Sequence, residues 1–328
     1  MKKPSWVPLA ILGWNLAVIL WGAFVRMSGS GAGCGSHWPT CGGEILPTAP
    51  ALATVIEFTH RLSSGVSVVL ALVALLWALR RFPQRHKARR AAIAGVVFIF
   101  LEALVGAGIV LFGLTANNDS GARAVVIAIH LLNTLGLVAS YTLLLLWSGD
   151  ERPLRRPAHA PLLVIGVLAV LVTSATGAVT ALGDTLFPVH TDAPMAARVS
   201  ADLAPAMHFL VRLRIVHPVI AVTSALILLV VGAWFMDRAK RPALALMILT
   251  VTQVCAGLLN IALAAPEAMQ LIHLFLANVV WMTLVIVVAR ASAGAGDGDG
   301  DGDGDGDGDG DGDGALPSAH AQRAADPA

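Results

Sequence analysis

The chain has 328 residues, of which 56% are hydrophobic and only 13% charged, and its net charge is +1. A water-soluble domain carries about 25% charged residues, so this composition excludes a chain bathed by water over its whole surface. It calls for the lipid bilayer as a partner, and no nucleic-acid partner is expected.

Eight apolar runs approach or exceed the roughly 20 residues that span a bilayer. They lie at about 7–25, 53–79, 91–114, 123–147, 161–183, 213–236, 242–264 and 268–290. Runs this long without strand-like alternation are read as helices, because a segment in lipid must satisfy its own backbone groups. The expected fold class is an all-α polytopic membrane protein with eight transmembrane helices. Lys2 and Lys3 precede the first run as they would in a signal peptide. That run is longer than the usual apolar core of about 7–15 residues and no convincing cleavage site follows, so it is expected to stay as a helix. Sixteen of the 22 Lys and Arg residues fall on the side shared by the two termini and six on the other. The excess puts both termini in the cytoplasm and the protein in the cell (plasma) membrane.

In chain order, the first helix exits through WGAFVRMSGSG into an outer loop, 26–52, which carries Cys34 and Cys41 in CGSHWPTC. On an oxidising face a disulfide is the default for such a pair, structural in preference to redox-active. The second helix carries EFTHR, with Glu57 three residues before His60 and so on the same face. Glu57 can handle protons beside a bound group, or simply pair with Arg61 one turn later; both roles are compatible. Glu102, in the third helix, is assigned only a polar contact with a neighbouring helix. The fourth helix holds His130. After a second long outer loop, 184–212, the sixth carries RIVHP, with Arg214 where the second helix has Glu57, and His217 where it has His60; the eighth carries His273. The odd-numbered helices each show a Gly/Ala pair near the outer end, in GAFV, VGAG, TGAV and CAGL. Small residues there admit either a close neighbouring helix or a flat ligand.

Long outer loops after the first and fifth helices indicate an internal duplication. The expected organisation is two pseudo-symmetric four-helix bundles, 1–150 and 151–292, followed by a disordered Asp-Gly-rich cytoplasmic tail, 293–328. Asp-Gly alternation maximises chain entropy and repels itself.

Four of the ten histidines (His60, His130, His217, His273) lie inside apolar runs. Each sits four to eight residues from the outer end of an even-numbered helix, on the order of 6–12 Å in. Polar groups in a bilayer are costly and mark function. A lone histidine is often a helix-to-helix hydrogen bond, but two facing imidazoles at one depth in each half suit the axial positions of a haem iron. Zinc would call for further Cys or carboxylate ligands. Arg61, Arg212 and Arg214 are candidates for pairing with haem propionates, which suit the guanidinium fork.

These pieces, together with HLLNT around His130, HFLVRLRIVHP around His217 and QLIHLFLAN around His273, resemble the haem A synthase family across about residues 7–290. The resemblance implies oxidation of a methyl group of haem O to a formyl group by successive hydroxylations. It places substrate haem at His60 and His130, with Glu57 catalytic, and a resident haem b with its iron held by His217 and His273. It implies haem O as substrate and names haem O synthase as a candidate partner; a homo-oligomer is left open. Two rivals stand beside it. A two-haem b-type cytochrome for electron transfer uses the same histidines but gives no reason for Glu57 in one half only. A transporter with a histidine proton relay predicts broken helices near the midplane.

Overall fold

The computed structural model describes residues 6–149, 154–155, 157, 159–188 and 194–293. The Asp-Gly tail from residue 294 on, His190, and residues 150–153 between the halves lie outside the described residues. The described residues contain nine helices: α1 (Trp6–Met27), α2 (Leu52–Arg81), α3 (Lys87–Leu111), α4 (Gly121–Trp147), α5 (Ala160–Leu186), α6 (Met195–Asp202), α7 (Phe209–Trp234), α8 (Lys240–Ala262) and α9 (Glu267–Ala291). All but the short α6 are long and apolar enough to cross a membrane, as the hydropathy pattern predicts.

Local chemistry sets several ends. His86 accepts from the Ala88 amide (3.1 Å) to cap α3, and Ser120 accepts from the Arg123 amide (3.3 Å) to cap α4; such caps satisfy donors a first turn leaves free. The second long loop departs from expectation. α5 runs on to Leu186, α6 occupies part of the connection, and α7 begins at Phe209, so Arg212 and Arg214 are helical. Asp184 extends α5 past its apolar run because Arg214 neutralises it at 2.6 Å. His208 starts α7 early by accepting from the Leu210 amide at 3.4 Å.

Helices α1 to α4 close into one ring and α5, α7, α8 and α9 into another, with α1, α4, α5 and α9 meeting between them. The described residues up to Ala293 belong to one compact unit. Trp281 of α9 donates to the carbonyl of Leu135 in α4 (2.8 Å), a bond across the two rings. Arg26 of α1 crosses at the other end, donating to Ala181 O and Thr185 Oγ1 of α5.

The larger packed core lies toward the end of the bundle that carries the basic loop 80–90, and a smaller one, Ala124, Leu182 and Leu210, borders the cavity toward the other end. Ala71, Ala74 and Ala78 of α2 meet Ala88, Ala91 and Ala92 of α3, and Leu137, Tyr141, Leu228 and Leu284 fill the centre. Lipid is as apolar as leucine, so what holds helices together is close contact, which small residues allow. Leucines and valines on the outer faces of the helices remain exposed, as a surface facing lipid requires. The opposite end is hollow, and there the histidines lie.

Candidate functional site: a histidine-lined cavity

A cavity of about 1050 Å³ occupies the end away from the basic loop 80–90 and reaches into both rings; His60, His130, His217 and His273 all line it. His60 and His130 lie within electrostatic range of one another, as do His217 and His273. Each ring is backed by a glycine of the preceding long helix. A methyl group added at Gly22 would stand 2.8 Å from His60 Cε1, at Gly177 2.9 Å from His217 Cε1, at Gly257 3.0 Å from His273 Cε1, and at Gly106 3.9 Å from His130 Cε1. Three of these glycines leave room for an imidazole edge, the fourth stands in ordinary contact with one, and all four line the cavity. A two-helix unit, glycine on the first helix and histidine on the second, recurs four times.

The surroundings of the two pairs differ. In the first half Glu57 is 4% exposed. Its Oε2 accepts from the Cys34 amide (2.8 Å), and its Oε1 accepts from Arg61 Nε (3.1 Å) and Nη2. Arg61 Nη1 in turn donates to the carbonyls of His37 (2.6 Å) and Thr40 (2.8 Å). Cys34 and Cys41 are disulfide-bonded. The looped segment they close is therefore strapped to the helix that carries His60. Gly33 permits that approach: a Cβ there would meet Ala53 O at 2.4 Å. The expected pairing of Glu57 with Arg61 is present, and Glu57 also lines the cavity.

Glu102 makes the expected polar contact with a neighbouring helix, α4, and its partners there are specific. From α3 its Oε1 accepts from Thr134 Oγ1 (2.5 Å), Asn133 Nδ2 donates to its Oε2, and Oε1 stands 3.5 Å from His130 Nδ1.

In the second half Thr176 Oγ1 lies 3.1 Å from His217 Nδ1, and Gln253 Nε2 lies 3.2 Å from His273 Nε2. Arg214 is tied to Asp184 (2.6 Å), Asp202 (3.4 Å), Gly183 O (3.1 Å) and Phe187 O. Asp202 belongs to α6, so that short helix is fastened over the cavity by the same arginine.

Of the three arginines singled out from sequence, Arg61 and Arg214 line the cavity. Arg212 is exposed on α7 and is not part of the lining. Arg26, Arg123 and Arg198 line it instead, and the Nε atoms of Arg123 and Arg198 are buried without a partner. Five arginines, Arg26, Arg61, Arg123, Arg198 and Arg214, therefore line one cavity.

The chain matches the family model of COX15-CtaA, cytochrome oxidase assembly protein, over residues 5–285. The chain belongs to the COX15-CtaA family. Among curated relatives it is 26% identical over 280 residues to a protein named Heme A synthase in Alkalihalophilus pseudofirmus, covering 82% of this chain and 91% of that one. It is 29% identical over 251 residues to another of that name in Shouchella clausii, covering 74% and 77%. It is also 47% identical over 300 residues to a protein named Protoheme IX farnesyltransferase in Thermus thermophilus, covering 87% of this chain and 48% of that one. The chain thus spans about half the length of the Thermus relative. The family match takes in both rings, so the shared feature is the whole eight-helix array and not one half of it.

Proposed function

We propose that this chain is a haem A synthase, a membrane oxidoreductase that converts a methyl group of haem O to a formyl group. The observation that carries the reading is the cavity with four glycine-backed imidazoles, lined by Glu57 and Glu102 in the first half, whereas the second-half carboxylates that line it, Asp184 and Asp202, are tied to Arg214. The residues fit a haem on three counts. Four imidazoles from four helices line one cavity, and histidine is a common ligand of haem iron. The cavity is at the upper end of the volumes that ligands fill. Its mouth presents guanidinium groups, which suit carboxylates. We assign haem b to His217 and His273, and substrate haem O to His60 and His130.

When bound, haem b supplies the capacity to take electrons from an unactivated carbon. The chain supplies the rest. His60 and His130 seat the substrate, with Gly22 and Gly106 keeping space behind their rings. Glu57, held by Arg61 and the Cys34 amide, has lone pairs left on both oxygens and accepts the protons that oxidation of a methyl group releases. Arg61 in the first half, Arg214 in the second, and Arg26, Arg123 and Arg198 around them form the set from which propionate partners are drawn.

The transfer of a farnesyl group named for the Thermus protein belongs to that protein, only half of which is matched here. It nevertheless supports a partner. One polypeptide joins a stretch similar to this chain with farnesyl transfer to protohaem, so we assign a farnesyl-adding haem O synthase as the neighbour that delivers substrate. We place the chain in the plasma membrane with both termini cytoplasmic and the cavity toward the outer face. Labelling of a cysteine introduced at position 85 is expected from the cytoplasmic side only; labelling from outside would reverse the orientation.

The function is tested by haem extraction from cells that make haem O and lack haem A, with and without this chain. Haem A is expected with it. No haem A, from protein that retains two haem b groups, would instead establish the electron-transfer cytochrome. The glycines give a graded check. Gly22→Ala and Gly177→Ala force a packed ring to move, an overpacking that costs about 1–3 kcal/mol, and each should lower haem occupancy in its own half. Gly106→Ala creates only an ordinary contact and should leave occupancy unchanged, as measured by haem per purified protein.

A further inference from the structure

The third long helix of each half, α3 and α8, repeats one register. The side chain four residues before its glycine faces the histidine of the next helix. In the first half it is Glu102, before Gly106 and facing His130; in the second it is Gln253, before Gly257 and facing His273. The neighbours are matched to this difference. Glu102 accepts from Asn133 Nδ2 and from Thr134 Oγ1 (2.5 Å), which stand three and four residues after His130 on the same face of α4. The corresponding positions after His273 are Leu276 and Ala277, which donate nothing. A carboxylate taken into a bilayer is costly unless donors surround it. The first half supplies those donors, and the second has an uncharged amide that does without them.

We propose that Glu102 is a positioning residue for His130, and that the Glu102/Gln253 difference sets the two haem sites apart in reduction potential. The inference rests on the haem reading above. His130 Nδ1 is buried, has no hydrogen-bond partner, and has Glu102 Oε1 at 3.5 Å. A carboxylate this close to Nδ1 favours the tautomer with its proton there, leaves the other nitrogen as the ligand, and raises its basicity. Negative charge beside a haem and a more basic axial ligand both favour the oxidised iron, which lowers the potential. Gln253 stands 3.2 Å from the other ring nitrogen, His273 Nε2, and brings no charge. The site at His60 and His130 is therefore the lower-potential member of the pair.

The test is a potentiometric titration of the purified full-length protein loaded with iron protoporphyrin IX, followed by optical and electron-paramagnetic spectra. The first-half component is identified as the one lost in His60→Ala. Glu102→Gln, of the same size, should shift that component to higher potential and alter its spin-resonance signature, leaving the second-half component where it was. Glu102→Asp should stay near the wild-type value. Gln253→Glu should shift the second-half component downward. An unshifted first-half potential in Glu102→Gln overturns the proposal. Should that variant take up no haem in its first half, Gln253→Glu decides: a downward shift supports the proposal and an unshifted potential overturns it. Wild-type protein that takes up no haem overturns the haem reading itself, and haem content reports this before any potential is measured.

Discussion

Glu57→Gln is expected to abolish haem A formation in cells that supply haem O, while the purified variant keeps the haem held by the second half. The glutamine has nearly the same shape, and its carbonyl can still accept from Arg61 or from the Cys34 amide, but not from both through two oxygens as Glu57 does. The ionisable group is removed, and loss of a positioned acid–base group typically slows a reaction by about 10²–10⁴-fold. Haem O or a partly oxidised haem should accumulate in the extract. There is a structural cost as well. Arg61 and Glu57 are 12% and 5% exposed, and unpairing a buried charge can cost about 3–5 kcal/mol. Arg61 keeps the carbonyls of His37 and Thr40, which limits the loss. Retention of the second-half haem separates a chemical defect from a folding defect. Normal haem A from this variant would remove Glu57 from the mechanism.

The largest spectroscopic effect is expected from the second half. His217→Ala and His273→Ala should each lose the haem b spectrum, since one remaining imidazole holds the iron weakly. The two losses should differ in how they are rescued. Removing the His217 ring leaves a space against Gly177, with Thr176 Oγ1 facing it at the former Nδ1 position. Free imidazole should enter, bond to that hydroxyl, and restore the six-coordinate spectrum. At position 273 the rescuing imidazole meets Gln253 instead. Full haem content in both alanine variants would show that these histidines are not the ligands. In that outcome the cytochrome and synthase readings would both fail for the second half.

Much of the site was legible in the chain. The four histidines stand out because a polar group in a long apolar run needs a reason. The Glu57–Arg61 pair is an i,i+4 relation that helix geometry dictates once EFTHR is read as helix. The glycines were visible as a recurring feature, but their purpose was not. A small residue is compatible with any close neighbour, and only the distances to the four Cε1 atoms identify which neighbour came close. Glu102 was legible as a polar contact with a neighbouring helix but not by its partners, because Asn133 and Thr134 are 31 and 32 residues away on another helix. Arg212 illustrates the converse. Its position in sequence, two before Arg214, made it an equal candidate, yet residues two apart on a helix face different ways, and the structure leaves Arg212 outside the cavity lining.

The sequence by itself determined the number of long helices, the depth of the histidines and the chemical inequality of the halves. These are properties of single segments, set by apolar length and by which side chains a bilayer tolerates only at a cost. The tertiary structure decided how each helix is rotated about its axis, and with it the glycine behind each imidazole, the arginines at the cavity mouth, the short helix α6 tied down by Arg214 and Asp202, and the meeting of Glu102 with His130. The physical reason lies in the solvent. In water the apolar face of a helix announces which side is buried; in lipid the buried and exposed faces are equally apolar, so the pattern along one helix does not say where it points. That direction is fixed only when the helices pack against one another, through small residues and a few hydrogen bonds that join positions far apart in the chain.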